Sequence, residues 1–305
     1  MELIAIIDRE FGVRLPLSTL FASPTAAGLA TRIEQGDTGL AEQGLVLLKS
    51  GGPLPPVFVF HHPSGTVLAY EPLARHLGED QPVYGIQARG VDGGARPFES
   101  IQDMAAEYAE LIERTDPSGN YRMIGHSIGG LLAWETARML QRRGHQVAFL
   151  ALLDALFPDR RWFKAGVIDG HPASATAMML REARRAAGDI RWGLRWAFYS
   201  ATRRPIPPME ARLRLLRASS RAFDRYRPQP VSGRVLYLEA TEIQGTAPRN
   251  KSEDWARLCD ELEVVKVPGS HSGPDSILGP QHVEIVGIEL RKRLEELATV
   301  EGRVS

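Results

Sequence analysis

An α/β fold, with a mostly parallel sheet between layers of helices, is predicted by three observations. Short apolar runs alternate with longer segments of helical period. The runs are predominantly apolar, as expected of strands buried on both faces. One of them leads through a glycine-bearing turn directly into an alanine- and leucine-rich helix. With 305 residues the chain has ample material for a large core, near the upper size for a single one. Its 37 basic residues balance 37 acidic ones, so no overall field marks it for nucleic acid or a membrane surface.

Residues 1–35 come first, as two short amphipathic helices. Leu3, Ile4, Ile7 and Phe11 recur at helical spacing and Gly12 ends the run; Ser23-Pro24 then opens a second run with Ala26, Leu29 and Ile33. So short a stretch cannot bury a core of its own, and it is expected to be poorly ordered or loosely docked. From 36 to 55 the composition turns to Gly, Gln and Pro. The linker is placed at 36–43, the main domain at 44–299 with an edge strand at Leu45–Leu48, and a tail at 300–305.

Strands are predicted at Val57–Phe60, Val83–Ile86, Tyr121–Ile124, Val147–Leu153, Arg234–Glu239 and Val264–Val267. Helices are predicted near 67–77, 100–114, 129–143 and 281–297. Between Phe157 and Pro228 the alternation stops and the chain turns helix-like, with Trp162, Met178, Met179, Trp192, Trp196, Phe198 and Tyr199 among its residues. This insertion carries sixteen Arg and Lys against six Asp and Glu. It reads either as a cap with solvated arginines or as a lid that encloses substrate and meets an acidic or phosphorylated partner.

The chemistry centres on Gly125-His126-Ser127-Ile128-Gly129-Gly130. A Gly-x-Ser-x-Gly pattern arises easily by chance, but here a strand enters it and a helix leaves it, which is the setting of a nucleophile elbow in an α/β-hydrolase fold. A serine hydroxyl needs a histidine to take its proton and a carboxylate to orient that histidine, and this fold orders them Ser, Asp or Glu, His. Of the histidines after Ser127, His271 lies in the loop Gly269-Ser270-His271-Ser272-Gly273 after a predicted strand, where the base belongs. His145 falls at the wrong end of the sheet, His171 in the insertion, and His282 at a helix start. The acid is Asp154, closing an apolar strand, with Glu239 and Glu242 as alternatives one strand later.

An oxyanion hole is expected from the N–H groups of Ile128 and, in the loop His61-His62-Pro63-Ser64-Gly65, Ser64, since Pro63 has none. His61 and His62 are adjacent and lack further ligands at metal spacing, so no metal and no resident cofactor are expected. The single cysteine, Cys259, reads as a packed helix residue and cannot form an internal disulfide. Neither a secretory leader nor a membrane-length apolar stretch is visible. A cytoplasmic monomer is expected.

These segments together resemble the type I thioesterase domains that end nonribosomal peptide and polyketide synthetases. The likeness lies in Pro56–Phe60 with His62-Pro63-Ser64-Gly65, Val83–Gln87, Gly125–Gly130, Leu152-Leu153-Asp154 and Gly269-Ser270-His271, and covers about 44–297. It favours Asp154, because that family's acid closes this strand. Thr66 stands where the family often has a second glycine, and His61 adds a residue before the His-Pro pair. If His61 shifted the register by one, the donor position would fall on Pro63. Residues 1–35 separately resemble the C-terminal half of a peptidyl carrier protein, in Ile7–Val13 and Leu20–Thr25. The family's phosphopantetheine-bearing serine would precede Met1, so this chain would carry no acyl group itself.

The resemblance implies that Ser127 takes a peptidyl or acyl chain from the thioester of an upstream carrier domain and releases it by hydrolysis, macrocyclisation or oligomerisation. The aromatic lid suggests a dry chamber, which leans towards cyclisation. A stand-alone editing thioesterase, a general carboxylesterase and a non-catalytic carrier-docking module remain as alternatives.

Overall fold

The computed structural model describes residues 2–13, 25–34, 44–91, 95–158, 206–242, 252–273 and 275–304, with isolated positions and short pieces between. Much of the insertion at 157–228 lies outside the described residues, including Trp162, Met178, Met179, Trp192 and Trp196, so the expectation of a closed aromatic chamber lies there too.

Helices α1 (Glu2–Phe11) and α2 (Ala26–Glu34) form where the apolar spacing predicts them. After them come β1 (Leu45–Lys49), β2 (Val57–Phe60), a 3-10 turn at Leu68–Tyr70, α3 (Glu71–His76), β3 (Val83–Ile86), α4 (Ile101–Thr115), β4 (Asn120–His126), α5 (Ile128–Arg142) and β5 (Gln146–Leu153). Within the insertion, Val167–Ile168 pairs with His171–Pro172 in a small antiparallel hairpin that the helix-like composition does not announce. Helix α6 (Pro208–Arg225), β6 (Arg234–Ala240), α7 (Ser252–Ala256), β7 (Glu261–Val267) and α8 (Val283–Val304) complete the chain.

Seven strands form one sheet in the order β1-β3-β2-β4-β5-β6-β7, with β1 antiparallel on one edge and the others parallel. Side chains alternate between two cores, as the two-residue period of a strand demands. Phe58, Phe60, Met123, Leu150, Leu152 and Tyr237 face α4, α5 and Trp255. Val57, Val59, Ile124, Ala151, Leu153 and Leu238 face α3 and α8. From β2 the chain crosses to β3 on one side, then returns to β4 on the other. The sheet's switch point is therefore at β2 and β4, where open α/β sheets leave a crevice beyond the strand ends.

Two local expectations need correction. The tail placed at 300–305 is instead the end of α8, which runs to Val304; Leu290, Leu294 and Leu297 continue the helical spacing and no proline stops it. Cys259 lies in the turn just after α7, its thiol directed at the Trp255 carbonyl.

Candidate active site

Ser127 sits between the last residue of β4 and the first of α5, with φ 57° and ψ −123°, a conformation side chains avoid. The neighbouring glycines make this possible by close approach. A Cβ on Gly125 would fall 2.1 Å from the Gly129 carbonyl oxygen, and one on Gly129 would fall 2.6 Å from that of Phe60. The start of α5 is thus pressed against the end of β2 with nothing between.

His271 bridges the other two members of the constellation. Its Nδ1–H donates to Asp154 Oδ2 at 2.7 Å, which leaves Nε2 with its lone pair facing Ser127 Oγ at 3.0 Å. The serine hydroxyl then donates to Nε2, the arrangement a general base needs. Ser127 and Asp154 are nearly buried, whereas His271 is about one-third exposed. Asp154 also has a positive φ, 43°. Glu239 receives a hydrogen bond from Ser252, and neither it nor Glu242 is bonded to the His271 ring.

Backbone bonds fasten these positions to one another. Ser127 N–H donates to Leu153 O, Asp154 N–H to Leu238 O, Thr241 N–H to Val267 O and Glu242 N–H to Gly269 O. A single stair of main-chain bonds runs from the serine past the aspartate to the loop bearing the histidine.

The loop after β2 closes the other side. His61 N–H donates to Ile86 O, which continues the bonding of β2 to β3 one residue beyond the strand. Gly65 N–H then bonds His62 O, and His62 N–H bonds Thr66 O, forming a tight turn in which Ser64 N–H has no backbone partner among the described residues. Ile128 N–H, at the first position of α5, is likewise outside the helical ladder. His61 is fully buried; its Nδ1–H donates to His62 O and its Nε2 accepts from Tyr108 Oη, each at 2.7 Å. Burial pushes its pKa down to about 4, and that of His62 likewise. Among the described residues no three His, Cys, Asp or Glu side chains converge as metal ligands.

Sequence reading passes over two supports. Tyr70 Oη accepts from His126 N–H at 2.7 Å and so braces the elbow from below; nothing in the spacing of Leu68-Ala69-Tyr70 signals this. Leu215 of α6 covers the loop after β2 so closely that a Cβ on Gly65 would fall 2.0 Å from it. Its stripe Ala211, Leu215, Ala218 and Ala222 is buried at helical spacing, which the insertion's many arginines mask.

With this geometry in place, residues 55–276 match the family Thioesterase domain, and residues 1–33 match the family Phosphopantetheine attachment site. The chain belongs to the thioesterase-domain family. Its α/β-hydrolase fold and serine-hydrolase type of chemistry follow from that membership. The thioesterase chain is 31% identical over 295 residues to malpibaldin synthetase of Mortierella alpina, spanning 95% of this chain and 5% of that protein. It is 37% identical over 155 residues to a dimodular nonribosomal peptide synthase of Bacillus subtilis (strain 168), spanning 51% of this chain and 6% of that one. The chain therefore corresponds to a small part of the relatives it matches.

Among solved structures, the thioesterase RedJ from the prodiginine biosynthetic pathway of Streptomyces coelicolor superposes with a TM-score of 0.55 at 25% identity, covering 79% of this chain and 90% of that one. A four-domain nonribosomal peptide synthetase, holo-AB3403, shares the fold with a TM-score of 0.63 at 24% identity over 96% of this chain and 23% of its own. No helix among the described residues is long and apolar enough to cross a membrane.

Proposed function

We propose that this thioesterase domain releases a peptidyl or acyl chain from the phosphopantetheine thioester of a carrier domain, with Ser127 as nucleophile, His271 as general base and Asp154 as its orienting acid. The observation that carries the reading is the continuous set of hydrogen bonds from Ser127 through His271 to Asp154 in a chain whose first 33 residues match a phosphopantetheine attachment domain.

In the first step His271 Nε2 takes the Ser127 proton while Oγ attacks the thioester carbon. The tetrahedral oxyanion faces Ile128 N–H and Ser64 N–H, the C–S bond breaks, and the thiol leaves with the proton from His271. In the second step His271 deprotonates the releasing nucleophile and returns the proton to Ser127 as the ester opens. Water yields a linear acid, an internal amine or hydroxyl yields a ring, and a second chain yields an oligomer; macrocyclisation is the mode a lid that excludes water favours.

The reaction as written consumes no resident cofactor and no metal. The upstream carrier domain is the partner, and a cytoplasmic monomer working in a synthetase is the setting. The match at residues 1–33 favours this role over that of a free-standing editing enzyme or a general carboxylesterase.

A fluorophosphonate probe followed by peptide mass spectrometry tests the site, and label at Ser127 is expected. No label on the folded protein would leave only a non-catalytic docking role. A panel of peptidyl N-acetylcysteamine thioesters, compared with simple esters, tests the activity, and product masses separate the three release modes.

A further inference from the structure

Against the His271 ring lies a second imidazole that the acyl-transfer steps do not use. The His126 ring stacks on it with centroids 5.1 Å apart and planes 29° from parallel. His62 follows His126 at 5.1 Å, and Tyr70 lies 5.0 Å from His62. The three imidazoles come from three separate places, the end of β4, the loop after β2 and the loop after β7, and the fold brings them into one row.

Neither ring nitrogen of His126 and not Nε2 of His62 has a well-formed hydrogen bond among the described residues, the His126 ring having only the main chain of His271 within weaker reach, and these atoms are shut off from solvent. A neutral imidazole carries one N–H and one lone pair; burying them poorly matched costs stability that a leucine or phenylalanine would not. Residues that break a packing rule concentrate at functional or strained sites. Burial, and secondly the neighbouring imidazoles, hold His126 far below the usual histidine range, so its ring stays uncharged. An uncharged π face thus stands beside a ring that becomes a cation whenever it accepts the serine proton. Attraction between a cation and such a face is strongest where water is excluded.

We propose that His126, with His62 behind it, is a positioning residue for His271: its face fixes the plane of that ring and stabilises the imidazolium formed when Nε2 takes the Ser127 proton. The proposal rests on His271 acting as the base. The Oγ–H bond breaks as Nε2–H forms, the freed pair bonds the acyl carbon, and His126 gains no proton. Among the described residues, the titratable groups facing His271 are Ser127 and His126 from the elbow, Asp154 from the end of β5 and His62 from the loop after β2.

The test compares His126→Leu, His126→Phe and His271→Ala in the whole chain with an N-acetylcysteamine thioester. For His126→Leu we expect kcat to fall roughly tenfold with KM within about twofold. The acid limb of its pH profile moves about half a unit lower, because a less stabilised imidazolium loses its proton more readily. Its thermal midpoint equals or exceeds that of the parent. His126→Phe, which keeps a π face, recovers kcat to within about threefold of the parent.

An unchanged kcat and acid limb in His126→Leu, with His271→Ala inactive, overturns the proposal and leaves the base assignment standing. A fully active His271→Ala overturns both. If His126→Leu does not fold, His62→Leu decides: an unchanged kcat there assigns the row a structural role and overturns the proposal, and a reduced kcat with a moved acid limb supports it.

Discussion

The hydroxyl of Tyr226, at the end of helix α6, donates to the carboxylate of Glu135, a wholly buried residue of α5. Arg138 grips the same carboxylate with two bonds, at 2.6 and 2.8 Å, so the charge is paired and its lone pairs are used. Burial and the Glu135 charge push the Tyr226 hydroxyl far above its usual pKa, so it remains a donor at any ordinary pH. This bond ties α6 to α5, the helix that begins just after Ser127. Tyr226→Phe should cost about 2 kcal/mol, the typical worth of a hydrogen bond to a buried charge. Hydrogen exchange should show protection lost first in 208–225, and unfolding by urea gives the magnitude.

Strain at the elbow has an opposite signature. With φ 57° and ψ −123°, Ser127 holds a conformation that glycine adopts freely. Ser127→Gly should therefore abolish thioester turnover yet raise stability by about 1–2 kcal/mol, whereas Ser127→Ala abolishes turnover without that gain. Paired denaturation curves of the two inactive variants check this, and a Ser127→Gly no more stable than Ser127→Ala would count against stored strain.

Leu215 of α6 packs directly over the loop carrying Ser64. Gly65 has φ +84° and a Cβ there would collide with Leu215, so Gly65→Ala should lower kcat/KM by about tenfold or more. Adding Leu215→Ala removes the collision but not the backbone cost. The double variant should recover part of the loss, and equal losses in single and double variants would mean the contact is not what Gly65 accommodates.

His61 makes stability depend on pH. Its folded pKa of about 4 lies below the ordinary 6.5, so between those values the unfolded chain binds a proton that the native protein does not. Its contribution is fully present above pH 6.5 and is lost as pH falls towards 4, by up to about 3 kcal/mol. His61→Gln, which keeps an acceptor for Tyr108, should flatten the fall in thermal midpoint between pH 7 and 5; a slope identical to the parent's would assign the loss to other groups.

Much of this architecture was legible beforehand because its signals are local. The predicted strands are predominantly apolar runs, interrupted by Arg122 and Lys266 and bounded in one case by Arg234 and Glu239, and the structure extends five of the seven by a residue or more without moving any. Ser127 stood out because strand, glycines and helix are contiguous, and His271 because it follows a strand in a glycine-flanked loop. Asp154 could be weighed against Glu239 but not separated from it by spacing, since the choice depends on which strand end reaches His271 in space. Tyr70, His126 and Glu135 were illegible for the same reason: their roles come from partners 56, 145 and 91 positions away in sequence. The buried stripe of α6 was hidden differently, its alanines and Leu215 being diluted by six arginines between 212 and 227.

The stair of backbone bonds from Ser127 to the His271 loop has an evolutionary consequence. Because every rung is an amide and a carbonyl, the spacing of serine, aspartate and histidine owes little to which side chains fill the layers below. The interior and the lid can drift, and with them the size and polarity of what is accommodated, while the reacting atoms stay in register. A scaffold of this kind is suited to being retuned to many different cargoes without having to reinvent its chemistry.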